Sequence, residues 1–369
     1  MIIKVESPGR INLIGEHTDY NGGHVLPGAI DKKIIFEIYK TDNNNCEIKS
    51  DSIKQSLVFN VNKIEKSNTH WHNYMLGTID FFKKKDNKIT PFKCSIKSNL
   101  PIGTGISSSS ALISGFSRAI IELFDLKYDK SDIVKIVSYV ERNFIGLQGG
   151  IMDQFTINYG LKDNLILLNC GNSNYNYIKF KSESIGILLL NTNVKHSLID
   201  SAYNDRVNEC QEAESILNSH FNDSRRLANY TLNELNQVKD KLDIIIFNRA
   251  YFVIDENERT VSSSELLKQS NFKDFGELMY KSHKGLKDLY EVSCSELDYI
   301  VDFTKKLNYV LGSRMMGGGF GGCTINLIEK NHINTFIEDV SKNYLKTFGK
   351  NLTPIKVNIG NGLTYKKIK

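Results

Sequence analysis

The chain has 369 residues, enough for two domains at roughly 150 residues each and for a sizeable core. Its 24% charged and 10% aromatic residues exclude a disordered chain, and no apolar run approaches the ~18–20 residues that span a bilayer, in keeping with a mean hydropathy of −0.30. The net charge of +5 is mild and the basic residues are scattered, so neither a nucleic-acid surface nor a membrane association is expected.

The opening residues, MIIKVESPGR, lack a charged segment followed by an apolar one, so no secretory signal is expected. Cysteines 46, 94, 170, 210, 294 and 323 are widely spaced, with no C-x-x-C pair. They read as reduced thiols of a cytoplasmic protein, Cys94 and Cys323 as core. The histidines show no H-E-x-x-H or other metal spacing.

In chain order, residues 32–39 (KKIIFEIY) have the β-branched, alternating character of a strand. Residues 72–83 predict a helix, and the run Lys83-Lys84-Lys85 reads as its solvated end. A strand follows at 92–98 (FKCSIKS), then a helix at 109–126 that is apolar nearly all round and must be buried. Residues 131–144 predict an amphipathic helix opening on Ser131-Asp132 as its cap. After an apolar strand at 185–190 the chain turns mostly helical, at 201–219, 224–235, 256–270 and 272–289. A glycine-rich loop precedes a strand at 323–327, and 355–359 closes as a strand. The mixture predicts an α+β fold of two domains dividing near residue 180. No heptads or open sticky edge appear, and a monomer is expected.

Three segments carry chemistry. Residues 8–27, PGRINLIGEHTDYNGGHVLP, crowd Arg10, Asn12, Glu16, His17, Asp19, Tyr20, Asn21 and His24 among three glycines. Such polar density does not build a core. It fits a loop folded around a polyhydroxylated ligand, since carboxylates accept from hydroxyls and His does either; a turn-rich surface loop is the lesser alternative. Residues 100–111, LPIGTGISSSSA, run a glycine turn into the N-terminus of the buried helix. Free amides and the positive dipole end suit phosphate there; a flexible loop with a serine cap is the other reading. No Lys follows a final Gly, so the loop is not a Walker A, and a serine hydroxyl with a nearby carboxylate would be needed to hold magnesium. Residues 315–323, MMGGGFGGC, are either a strained hairpin or a loop in close backbone approach to the site. Between them lie two candidate carboxylates, Glu141 and Asp153.

Together these residues resemble the galactokinases of the GHMP kinase superfamily. GRINLIGEHTDYNGGHVLP is similar to that family's signature almost residue for residue, LPIGTGISSSSA to the superfamily phosphate loop and RMMGGGFGGC to its third motif. GLQGGIMDQF, NTNVKHSLIDSAYNDRVNEC and HKGLKDLYEVSCSELD also match, so the resemblance spans nearly the whole chain. It implies a two-domain GHMP kinase-like fold with the active site in the interdomain cleft: residues 1–180 binding galactose and ATP, and 181–369 forming a ferredoxin-like C-terminal domain. It implies ATP-dependent phosphorylation of the anomeric hydroxyl of α-D-galactose, the first committed step of galactose catabolism by the Leloir pathway. A kinase for N-acetylgalactosamine or arabinose and a non-catalytic galactose sensor are the rival readings.

By the same resemblance Asp153 matches the proposed catalytic base, and Arg10 the arginine beside it that stabilises the transferring group. Glu16, His17, Asp19, Gly150 and Tyr203 match sugar-binding positions. Gly103, Thr104, Gly105, Ile106, Ser107, Ser108 and Ser109 match the nucleotide-phosphate loop, and Ser109 with Glu141 the ligands of Mg2+. Trp71 and Tyr74 resemble residues near the adenine pocket, with ordinary helix packing as the alternative. Three departures stand out: few residues precede PGR, Gly149 stands for a common cysteine and Gly318 for a small residue, often alanine. None removes a chemical group that the mechanism needs.

Overall fold

The computed structural model describes residues 1–85, 88–101, 104–194 and 199–368. Gly103 of the phosphate loop lies outside the described residues, as do residues 195–198 of the NTNVKHSLIDSAYNDRVNEC segment.

The first sheet has six strands, in the order Thr364–Ile368, Ile2–Asn12, Pro27–Lys40, Phe92–Ser98, Cys46–Ser50 and Gln55–Phe59. Period-two burial drives it: Ile3 and Val5 are buried while Lys4 and Glu6 are not, and Ile34, Phe36 and Ile38 repeat the pattern next door. The strand expected at 32–39 begins earlier, at Pro27, because its pairing with Ile2–Asn12 continues past an irregularity between Pro8 and Arg10. The helix Ser108–Phe124 lies on this sheet and buries Ala111, Ile113, Phe116, Ala119 and Ile120 completely. Ile113, Phe116 and Ile120 each contribute roughly 1.5–3 kcal/mol of burial, which offsets the poor helix propensity of its serine-rich start.

The second sheet runs Val310–Met316, Cys323–Glu329, Ile185–Asn191, Thr353–Val357, every neighbour antiparallel. Numbered along the chain that order is 2-3-1-4, the ferredoxin-like arrangement, with helices Phe272–Asp288, Ser295–Thr304 and Ile333–Phe348. A small third sheet joins His24–Val25, Asn164–Asn169 and Tyr175–Lys179. The fold is α+β, as expected.

Four local expectations change. The last strand, Thr364–Ile368, pairs with Ile2–Asn12, so the end of the chain returns to the first sheet instead of staying with 181–363. Residues 224–235 form no single helix: Thr231 and Glu234 make a capping box that starts a new short helix, Leu232–Gln237, after a 3-10 turn at Leu227–Asn229. The helix expected from 256 starts at Ile244, capped by Asp243; the unbroken apolar run that opens it hides its period. The cap of Lys130–Val140 is Asp129, not Ser131, and Glu141–Ile145 continues it as a π-turn, a form frequent at functional sites. Cys46, Cys94, Cys210 and Cys323 are buried, and no disulfide forms among the described residues. No helix among the described residues is long and apolar enough to cross a membrane.

Candidate active site

Residues 8–27 are not one loop. Arg10 and Asn12 lie on the strand Ile2–Asn12, and the turn begins only after it, where Gly15 adopts φ +92°. The loop is then fastened from the second half of the chain. Glu256, fully buried, accepts from the Gly15 amide at 3.0 Å; Asn257 accepts from the His24 amide at 2.7 Å. Arg226 donates to the Tyr20 carbonyl at 2.5 Å. Arg314 on the strand Val310–Met316 donates to the carbonyls of Leu13 and Asn12 at 2.8 and 2.6 Å.

The phosphate loop meets the same place. Ser107 takes the left-handed region, φ 59°, and its hydroxyl donates to Asp153 instead of capping its helix. The first amides of Ser108–Phe124 are thereby left for an incoming anion. Gly105, at φ +72°, packs against Gly317, so the second and third motifs touch. The third motif is both of its readings at once: a hairpin connection whose Gly317 and Gly318 line the site.

The cavity at this junction has a volume of about 210 Å³, and it gathers Arg10, Glu16, His17, Asp19, Glu141, Gly149, Gly150, Asp153, Tyr203, Gly317 and Gly318. Arg10 forks onto Asp153, with Nε to Oδ1 at 2.7 Å and Nη2 to Oδ2 at 3.0 Å, and gives its third edge to the Gly105 carbonyl at 2.5 Å. Both groups are thus held in a rigid bidentate geometry. Burial, then the Asp153 charge, pushes Asp19 up to about 7. The same two causes push Glu141 up to about 8. Burial pushes His17 down to about 4, so its ring is neutral near neutral pH. His17 Nδ1 lies 2.8 Å from the Tyr20 hydroxyl. His17 also interacts with the Gly318 backbone, so its ring is fixed in the cavity wall. Tyr203 packs 5.6 Å from the His17 ring and forms an apolar wall. Gly150 allows the Asp19 carboxylate to lie against its backbone, where a Cβ would overlap it.

The serines divide. Ser110 Oγ donates to Glu141 at 3.1 Å, whereas Ser108 and Ser109 border a second, mostly apolar cavity of about 370 Å³ with Trp71 and Tyr74. The helix N-terminus therefore separates a polar cavity from an apolar one of a size to take a flat ring. Thr104 and Ile106 are buried in the loop, and Ile106 accepts from the Arg10 amide at 3.2 Å. Arg314, Glu256 and Asn257 went unrecognised from sequence as parts of this site. The available signal was an arginine inside the otherwise apolar strand pattern VLGSRMM.

Family models match three segments: the galactokinase galactose-binding signature at residues 3–40, the GHMP kinases N terminal domain at 73–161 and the GHMP kinases C terminal at 263–346. The chain is 40% identical to the galactokinase of Thermotoga neapolitana over 98% of its own length and 99% of the relative's. It is 38% identical to that of Fusobacterium nucleatum, covering 96% and 93%. Its structure matches Lactococcus lactis galactokinase complexed with galactose at a TM-score of 0.93, with 32% identity over 98% of this chain and 95% of that one. A Methanococcus jannaschii mevalonate kinase matches at 0.67, with 25% identity over 98% of each chain.

Proposed function

The chain belongs to the galactokinase family of GHMP kinases, and from that premise we infer that it transfers the γ-phosphoryl group of ATP to the anomeric hydroxyl of α-D-galactose, giving galactose 1-phosphate and ADP. One observation carries the site assignment: Glu16, His17 and Asp19 share a cavity with the Arg10–Asp153 pair, beside a helix N-terminus with free amides.

Glu16, His17 and Asp19 bind and orient the sugar. Asp153 accepts, or orients, the proton of the attacking hydroxyl. Arg10 holds that carboxylate by two bonds and offers positive charge where the phosphoryl group arrives. The amides of the Ser108–Phe124 N-terminus hold phosphate, and the apolar cavity at Trp71 and Tyr74 takes the base. Much of the rate comes from positioning and electrostatics.

Mg2+ fits the residues present. Glu141 is buried with a serine hydroxyl on one oxygen, and the negative charges of Asp153 and Asp19 oppose its ionisation. One carboxylate with a serine hydroxyl supplies hard oxygen donors of the kind Mg2+ takes when substrate phosphates and water complete its shell. Glu141 with Ser109 or its neighbour Ser110 would hold it; when bound it supplies charge neutralisation of the triphosphate. We propose further that the protein works as a monomer in the cytoplasm.

The test is a coupled ADP-release assay over galactose, glucose, N-acetylgalactosamine and arabinose. Galactose is expected to exceed glucose, its 4-epimer, by at least ~10³-fold in kcat/KM, because a buried hydroxyl-reading site leaves polar groups unpaired with the wrong epimer. Comparable glucose turnover defeats the reading. Preference for another sugar reassigns the substrate, and binding without ADP release makes the protein a sensor.

A further inference from the structure

We propose that Arg314 is a positioning residue for sugar recognition, acting through Glu16: it holds one carboxylate oxygen so that the other is aimed at a single hydroxyl of the sugar. The proposal rests on the galactose reading above.

Arg314 is fully buried on the strand Val310–Met316. A buried guanidinium must satisfy its donors, and this one does so with two groups of acceptors. One group is backbone. Nε donates to Leu13 O at 2.8 Å, Nη1 to Met315 O at 2.6 Å and Nη2 to Asn12 O at 2.6 Å. The other is Glu16, whose Oε1 accepts from Nη2 at 3.2 Å. The Gly317 amide donates to the same Oε1 at 2.8 Å. Two donors therefore converge on one oxygen. Oε2 has no hydrogen bond among the described residues, and Glu16 lines the sugar cavity.

This geometry has a specific consequence. The terminal torsion of a glutamate is broad, so an untethered carboxylate would present either oxygen in many orientations. With Oε1 tied twice, Oε2 becomes an acceptor of fixed direction, aimed at the sugar hydroxyl that lies along it. Arg10, the other nearby cation, is committed to Asp153 and Gly105 and does not supply this tether. The planar fork matters as much as the charge: a lysine ammonium cannot reach Leu13, Asn12 and Glu16 from one position. The tether also spans the chain, since residues 12–16 belong to the first half and 314–317 to the second. Closure of the two halves thus sets the aim of a sugar-reading group.

The experiment measures kcat/KM for galactose and for its 2-, 3-, 4- and 6-deoxy derivatives on wild type, Arg314→Lys, Glu16→Gln and the combined variant, with KM for ATP as the control. In wild type, the deoxy sugar lacking the hydroxyl read by Oε2 is expected to lose about 10²-fold or more. Glu16→Gln and Arg314→Lys should each shrink that same penalty by about tenfold, with the other penalties and KM for ATP within about threefold. The combined variant should be no worse than the worse single one, because both remove one interaction. Arg314→Gln is made in parallel in case the lysine variant does not fold, and must show the same selective loss. A uniform drop over all five sugars, or a combined effect equal to the product of the single effects, overturns the proposal. Failure of wild type to phosphorylate galactose overturns the parent reading instead, so the two failures are distinguishable.

Discussion

Asp153→Asn separates chemistry from scaffolding at the centre of the site. The wild-type carboxylate accepts Arg10 Nε at 2.7 Å on one oxygen and Nη2 at 3.0 Å on the other, with Ser107 as a third donor. Asparagine keeps one oxygen and turns an NH2 toward a group that only donates. One charge-assisted bond, worth about 1.5–3 kcal/mol, is lost. Arg10 is also left in the protein with its side chain 6% exposed and no full counter-charge. Breaking a fully buried pair costs about 3–5 kcal/mol, but the Asp153 side chain is 27% exposed, and solvent reduces this toward about 2 kcal/mol. The folded protein should therefore persist with a lower urea midpoint. Its kcat should fall by about 10²–10⁴-fold, the range for a positioned acid–base group, while the galactose Kd from calorimetry stays within about threefold. Steady-state ADP release, measured where circular dichroism shows full folding, decides the matter. A kcat within about fivefold of wild type would refute the role of Asp153 as the proton acceptor.

Gly150→Ala places a methyl group on the Asp19 carboxylate, so KM for galactose should rise about tenfold or more with a smaller change in kcat; an unchanged KM removes Asp19 from the sugar wall. Glu141, raised to about 8 from 4.5, binds its proton more tightly when folded, so the unfolded chain holds fewer protons between these values and stability falls as pH rises. Urea midpoints of the ligand-free protein should decline from pH 5.5 to 8, with a slope of up to about 1.4 kcal/mol per pH unit from this group, and Glu141→Gln should flatten the decline. Ser109→Ala and Ser110→Ala should differ: the serine that shares the metal with Glu141 raises the magnesium requirement when lost and leaves the galactose Kd within about twofold. Gly276→Ala would drive a methyl into the Leu311 carbonyl where the helix Phe272–Asp288 crosses its strand; insoluble or strongly destabilised protein is expected, and a wild-type melting curve would count against that packing.

The reach of the sequence follows the range of the forces involved. Residues 92–98 and 185–190 read as strands because alternation or a short apolar run reflects burial on a sheet, a property each strand carries alone. The buried helix after the phosphate loop was legible for the same reason, and the glycines and polar residues of the three motifs marked the site because few other roles tolerate them. What depended on partners far along the chain was not legible. Nothing in TYKKI says that it pairs with IIKVE. Nothing in PGRIN itself shows that Arg10 stands on a strand, and its place beside Asp153, 143 residues away, came only from the family resemblance. Arg314 and Glu256 look locally like a charge in a strand and a charge on a helix. Only folding buries them against Glu16 and the Gly15 amide, some 300 and 241 residues distant. A buried charge is tolerated only where its counter-groups converge, and that convergence is a property of the tertiary structure alone.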